Sequence, residues 1–168
     1  TKVIRCNVSN NGNSGFGGNA SFAHVAGCTI FSNNYRRFSG GWHAGGLKMI
    51  PNCAGTFENN EIAYNVASPG IWFDGCRTAG TIIVRNNYIH HNGGGGVMVE
   101  ISNEAEVYNN LVVSNQVNGI YFSHANNSRA YNNTIIGTEG YATFQTSYGW
   151  RTNYVTATGT VYETFASN

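Results

Sequence analysis

The chain has 168 residues, enough for a single domain. Only 10% of them are charged and the formal net charge is +1, which excludes strong electrostatic attraction to nucleic acid or to an anionic membrane surface. No apolar run approaches the roughly 18 residues of a membrane span.

In chain order, the first organised phrase is RCNVSNN (Arg5 to Asn11), with Val3 already in register before it. No signal peptide precedes it at Thr1, and nothing there supplies the polar cap that a repeat array needs. The expectation is either further sequence in the native protein or self-association through uncapped coil ends. A Gly/Asn loop, NNGNSGFGGN (Asn10 to Asn19), leads to a second copy, GCTIFSN (Gly27 to Asn33). The segment NYRRFSGGWH (Asn34 to His43) then widens the spacing, and it reads as a projecting loop with binding reach.

Next comes a different phrase, GLKMI (Gly46 to Ile50). From here the two phrases alternate. NNEIAYN (Asn59 to Asn65) is followed by GIWFD (Gly70 to Asp74), NNYIHHN (Asn86 to Asn92) by GVMVE (Gly96 to Glu100), and NNLVVSN (Asn109 to Asn115) by GIYFS (Gly119 to Ser123). A degraded copy, NNTIIGT, ends at Thr138. The first phrase closes at positions 11, 33, 65, 92, 115 and 138, in steps of 22, 32, 27, 23 and 23 residues. Spacing in this range marks a solenoid. Period-two alternation marks strands with one buried face, and no stretch has the 3.6 period of a crossover helix.

The predicted fold is all-β: a single-stranded parallel β-helix of about six coils, forming one domain over 1–168. Regular coils cover 3–137. Irregular Thr- and Tyr-rich strands end or cap the helix over 140–168. In this fold equivalent residues stack about 4.8 Å apart. Asn60, Asn87, Asn110 and Asn133 form one column, with Cys6 and Cys28 above it. Asn tolerates turn backbones, and stacked amides bond one another. Val8, Ile30, Ile62, Ile89, Val112 and Ile135 form the neighbouring inward column.

On these motifs, and on the run AGGLK, GIWFD, VMVEIS in particular, the chain resembles the right-handed parallel β-helix proteins of the pectate-lyase-like class, in bacterial polysaccharide metabolism. The resemblance spans most of Val3 to Gly137. It implies the right-handed sense and an extracytoplasmic, secreted or cell-surface location. It leaves open which reaction, if any, is grafted on the fold.

Alternation assigns the faces of the second phrase. Ile71, Phe73, Val97 and Val99 point in. Lys48, Trp72, Asp74, Met98, Glu100, Tyr121 and Ser123 point out. Asp74 and Glu100 are therefore neighbours on successive coils. Two carboxylates that close repel, which raises the pKa of one unless a cation intervenes.

Three chemistries use such a pair. A retaining glycosidase sets two carboxyls about 5 Å apart. A calcium site gathers carboxylates at Asp74 and Glu100. A lyase needs a base such as Lys48, plus several cations to bind uronates. Arg77 is the one further cation near this face, so hydrolysis ranks ahead of elimination. A surface ladder, with Lys48 offsetting the acids, is the plain alternative.

The catalytic candidates are thus Asp74, Glu100 and Lys48. The candidates for binding a polysaccharide or oligosaccharide are Trp72, Tyr121, His43, His124 and Arg77. A non-catalytic carbohydrate-binding or adhesion module is the rival reading. His90 and His91 read as solvent-facing turn residues. Exposed tyrosines serve either sugar stacking or outward ladders. The pairs Cys6/Cys28 and Cys53/Cys76 each lie one coil apart, within disulfide reach, with buried thiols that take an Asn place in the ladder as the alternative.

Overall fold

A computed structural model describes residues 1–42, 45–140, 142–147, 149–156 and 159–165. Side chains are described through Ser147, apart from Ala142. Three strands make each turn. The first coil is β1 (Lys2–Ile4), β2 (Asn7–Ser9) and β3 (Phe16–Gly18), and the second is β4 (Ala23–Ala26), β5 (Thr29–Phe31) and β6 (Leu47–Met49). The third is β7 (Gly55–Glu58), β8 (Glu61–Ala63) and β9 (Ile71–Asp74), and the fourth is β10 (Ile82–Arg85), β11 (Tyr88–His90) and β12 (Val97–Glu100). The fifth is β13 (Ala105–Tyr108), β14 (Leu111–Val113) and β15 (Asn118–Ser123), and the sixth is β16 (Arg129–Tyr131), β17 (Thr134–Ile136) and β18 (Ala142–Ser147). An antiparallel hairpin follows, β19 (Gly149–Thr156) with β20 (Gly159–Phe165).

The strands stack into three parallel six-stranded sheets, in the orders β1-β4-β7-β10-β13-β16, β2-β5-β8-β11-β14-β17 and β3-β6-β9-β12-β15-β18. The architecture is a β-solenoid of six coils with no described helix. Ile30, Ile62, Ile89 and Val112 fill the inward column of the second sheet, and each is at most 1% exposed. Phe57 and Phe73 meet edge to face across the interior, 4.9 Å apart.

The Asn-Asn pair divides its labour. Asn59, Asn86, Asn109 and Asn132 take φ of 53–55°, the left-handed turn that Asn tolerates better than most residues. The second Asn of each pair turns inward and ladders. Asn60 donates to Asn87, Asn87 to Asn110 and Asn110 to Asn133, each at 3.0 Å.

A second ladder runs at the other end of the phrase. Asn11, Asn33, Asn65, Asn92 and Asn115 are joined by amide bonds of 2.8–2.9 Å. This second stack explains the glycine that opens the other phrase. A Cβ at Gly46 would sit 2.6 Å from the Asn65 amide nitrogen and 2.7 Å from the Gly70 carbonyl. The ladder and the next coil leave room for hydrogen only.

Two expectations need correction. Regularity does not end at residue 137, because β18 pairs with β15 and completes the sixth rung of the third sheet. The marker glycine phrase is absent there, although Phe144 keeps register with Ile120. His90 is not a solvent-facing turn residue. It lies in β11, is 5% exposed, and is packed by Tyr88, Tyr64 and His91, with Glu61 3.3 Å from its Nε2. Its outward direction is covered by neighbouring aromatic rings.

Candidate functional site

The outer face of the third sheet carries the candidate residues in the register that alternation requires. Lys48 is opposite Trp72, Trp72 opposite Met98, and Met98 opposite Tyr121. Asp74 is opposite Glu100, and Glu100 opposite Ser123. Outward does not mean open here. Lys48 and Trp72 are each 4% exposed and Glu100 9%.

Over Lys48 the cover comes from segment 34–42. Asn34 is fully buried and clamps its start. Asn34 accepts from the Phe38 amide, and its side-chain amide donates to the carbonyls of Phe38 and Val66. Further on, Lys48 donates to the Trp42 carbonyl at 2.5 Å, and its ammonium lies 5.5 Å from the Trp42 ring centre. The ammonium also sits 3.3 Å from the centre of the Trp72 ring and 3.1 Å from Asp74 Oδ2. A desolvated ammonium needs such company, and a ring face plus a carboxylate supplies it. Trp72 in turn donates its indole N–H to Glu100 Oε2 at 3.1 Å.

The repulsion expected between Asp74 and Glu100 is thus answered within the protein: Lys48 faces one carboxylate and the Trp72 N–H the other. A calcium ion is not needed for that balance. Among the described residues no three His, Cys, Asp or Glu side chains converge as metal ligands. Two carboxylates, each with a protein partner, fall short of the six or more oxygens that calcium takes.

Beside these groups opens a cavity of about 1190 Å³. Trp42, Trp72, Lys48, Asp74, Glu100 and Arg77 are on its wall. Trp42 is 63% exposed at its mouth. Asn103 borders it too, with a side-chain oxygen that is buried and has no hydrogen-bond partner. Its amide nitrogen donates to the Arg77 carbonyl, and Arg77 Nε donates to the Ile101 carbonyl. A disulfide, Cys53–Cys76, joins the turns that follow β6 and β9, with Cα atoms 4.8 Å apart. It ties together the two coils that carry Lys48 and Asp74.

Two proposed binding residues stand elsewhere. Tyr121 does not border the cavity, and its hydroxyl meets Ser147 Oγ at 3.0 Å. Met98 intervenes between it and Trp72 in the column. His124 also lies off the wall, with Nδ1 3.2 Å from Ser123 Oγ. His43 lies outside the described residues. Sequence reasoning missed Trp42 and Asn103 as wall residues. The only signal for Trp42 was its place in the widened loop, and Asn103 carried none.

Three parallel sheets wound into a solenoid, with a cavity on the outer face of the third, define a parallel β-helix. The family model described as "Right handed beta helix region" matches residues 19–158, and the chain belongs to that family. No curated protein and no solved structure matches it.

Proposed function

We propose that the cavity binds a stretch of polysaccharide and that Asp74 and Glu100 serve glycosidic hydrolysis on it. The observation that carries this reading is the wall itself: two tryptophans and two carboxylates around one cleft of about 1190 Å³. The exposed Trp42 indole offers a face to the C–H face of a sugar ring, while Trp72, capped by Lys48, forms the floor beneath. The carboxylates and amides meet the hydroxyls.

In this scheme Asp74, held by the Lys48 ammonium, is the nucleophile. Glu100, one coil away, is the acid/base. Elimination is disfavoured, because Lys48 is engaged by Asp74 and the Trp42 carbonyl, leaving Arg77 as the main cation for a uronate. The Cys53–Cys76 bridge supports an oxidising, extracytoplasmic setting for the protein.

The second reading, a binding module without catalysis, draws on the same contacts. Both carboxylates already have protein partners, as they do in structural networks. One experiment separates the readings. Neutral and uronic polysaccharides are assayed for reducing ends, for the ultraviolet absorbance of unsaturated products, and for binding by calorimetry. Hydrolysis predicts reducing ends without that absorbance, lost in Glu100→Gln. Binding alone supports the module. No binding to any polysaccharide overturns both.

A further inference from the structure

We infer that Cys6 and Cys28 form a thiol pair that oxidises to a second bridge between coils, with Cys6 as the entry thiol and Cys28 as the resolving one. The inference is independent of the cavity. Both residues are free cysteines, and they occupy the same corner on consecutive coils. Ile4 pairs with Ala26 on one side of them and Asn7 with Thr29 on the other, so Cys6 and Cys28 face each other in register.

That is the relation between Cys53 and Cys76, which are already bridged across one coil step of 4.8 Å. The parallel extends to the sulfur contacts. Cys28 Sγ lies 3.5 Å from the Ala26 carbonyl, two residues back, and 3.4 Å from the Val3 carbonyl on the coil before. Cys76 Sγ likewise lies 4.0 Å from the carbonyl of Asp74, two residues back, and 3.6 Å from that of Met49 on the coil before. The Cys6 amide donates to Cys28 Sγ at 3.5 Å, so the buried sulfur lies directly against the Cys6 backbone. A side-chain rotation at Cys6 brings the sulfurs together without moving the strands, because a coil step is within the span of a disulfide.

The two thiols differ in access. Cys6 is exposed, whereas Cys28 is 1% exposed. A low-molecular-weight disulfide therefore reaches Cys6 alone. The Cys6 thiolate attacks that disulfide, which leaves a mixed disulfide on Cys6 and expels one small thiolate. The Cys28 thiolate then attacks the Cys6 sulfur, forming the Cys6–Cys28 bond and expelling the second small thiolate. Both expelled thiolates take up the protons that the cysteines released. One external disulfide is reduced to two thiols as the protein thiols are oxidised. The product joins coil one to coil two, as Cys53–Cys76 joins coil two to coil three.

The test incubates the folded chain with oxidised glutathione. The chain is then quenched with an alkylating agent, weighed intact, and cleaved with chymotrypsin, which cuts after Phe16 or Phe22 and separates the two cysteines. The expected product is lighter by two hydrogen atoms, carries no lasting glutathione, and yields linked Cys6 and Cys28 peptides. Recovery of the same linked peptides from the chain as isolated also supports the bridge. Cys28→Ser should retain glutathione on Cys6, and Cys6→Ser should react with none. If Cys28→Ser fails to fold, the linked peptides of the native chain decide. A stable adduct on the native chain, or two unreacted thiols after incubation, overturns the inference.

Discussion

The Lys48 ammonium sits 3.3 Å from the centre of the Trp72 ring, on the strand one coil away. That approach buries the two outward-facing side chains against each other and leaves Asp74 as the carboxylate that meets the ammonium.

The first prediction follows from this pairing. Lys48→Met removes the ammonium and leaves the Asp74 carboxylate without its cation. Breaking one side of a buried ion pair destabilises by about 3–5 kcal/mol, and the 23% exposure of Asp74 puts the loss at the lower end. Adding Asp74→Asn to Lys48→Met should recover much of it. Urea denaturation of the two variants checks this. Equal stability of Lys48→Met and the native chain would show that the pair is inert.

Mutual repulsion by itself would leave stability unchanged or raised when either carboxylate is neutralised. The contacts divide that expectation. Asp74→Asn strips Lys48 of its anion and should destabilise, because the lysine is 4% exposed. Glu100→Gln keeps an oxygen to accept the Trp72 N–H, so its melting temperature should stay near that of the native chain. Thermal melts of the pair measure the contrast directly. A larger loss in Glu100→Gln than in Asp74→Asn would reverse the assignment.

The coils were legible because their corners demand particular chemistry. A left-handed turn followed by an inward amide writes Asn-Asn, and a crowded ladder writes Gly before the next strand. The first sheet has no such marker. Ile82–Arg85 and Ala105–Tyr108 alternate, yet nothing at their starts flags them, so the first strand of each of these coils stayed hidden. Faces were legible and cover was not. The burial of Lys48 depends on Trp42 folding back over it, and that of His90 on Tyr64 and Tyr88, contacts that no period encodes. Which exposed tyrosines form outward ladders is likewise not written in the pattern: Tyr108 and Tyr131 stack at 4.8 Å with planes 5° apart, as a ladder.

Ladder position should grade the cost of losing an asparagine. Asn87 accepts from the Asn60 backbone and side chain, and donates to Asn110 and the Phe57 carbonyl. Asn87→Ala leaves those buried groups unpaired, at about 1–3 kcal/mol for each one that water cannot reach. Asn133 ends the column and is half-buried, so Asn133→Ala should cost much less. Denaturant midpoints of the two variants test the order. Equal losses would mean that the ladder does not act through burial.

The outer face of the first sheet predicts an acid dependence. Hydrogen bonds from His24 and Arg85 hold the Glu58 carboxyl below its ordinary value of 4.5. The unfolded chain therefore binds a proton more readily than the folded one in that range. This cluster's contribution is complete above the ordinary glutamate value. It is lost as pH falls through that value toward the lower folded one. Glu58→Gln should flatten the fall in stability over the same interval, measured by denaturation at a series of acid pH values. An unchanged slope would place the acid sensitivity in other carboxylates.

Trp42 gives the sharpest separation of binding from folding. Its ring is 63% exposed, and Lys48 bonds its backbone carbonyl rather than its side chain. Trp42→Ala therefore keeps the hydrogen bond and removes the aromatic edge of the cavity mouth. It also removes a cation–π interaction at 5.5 Å, the weaker of the two that Lys48 makes. Stability should fall by less than about 1 kcal/mol, the scale of a partly exposed cation–π interaction. Affinity for a bound oligosaccharide should fall about tenfold or more, because exposed aromatic anchors carry a large share of binding energy. Calorimetric titration and a thermal melt on the same sample read both quantities. Full affinity in a folded Trp42→Ala would remove this ring from the site and leave Trp72, already committed to Lys48 and Glu100, as the only tryptophan in the described wall.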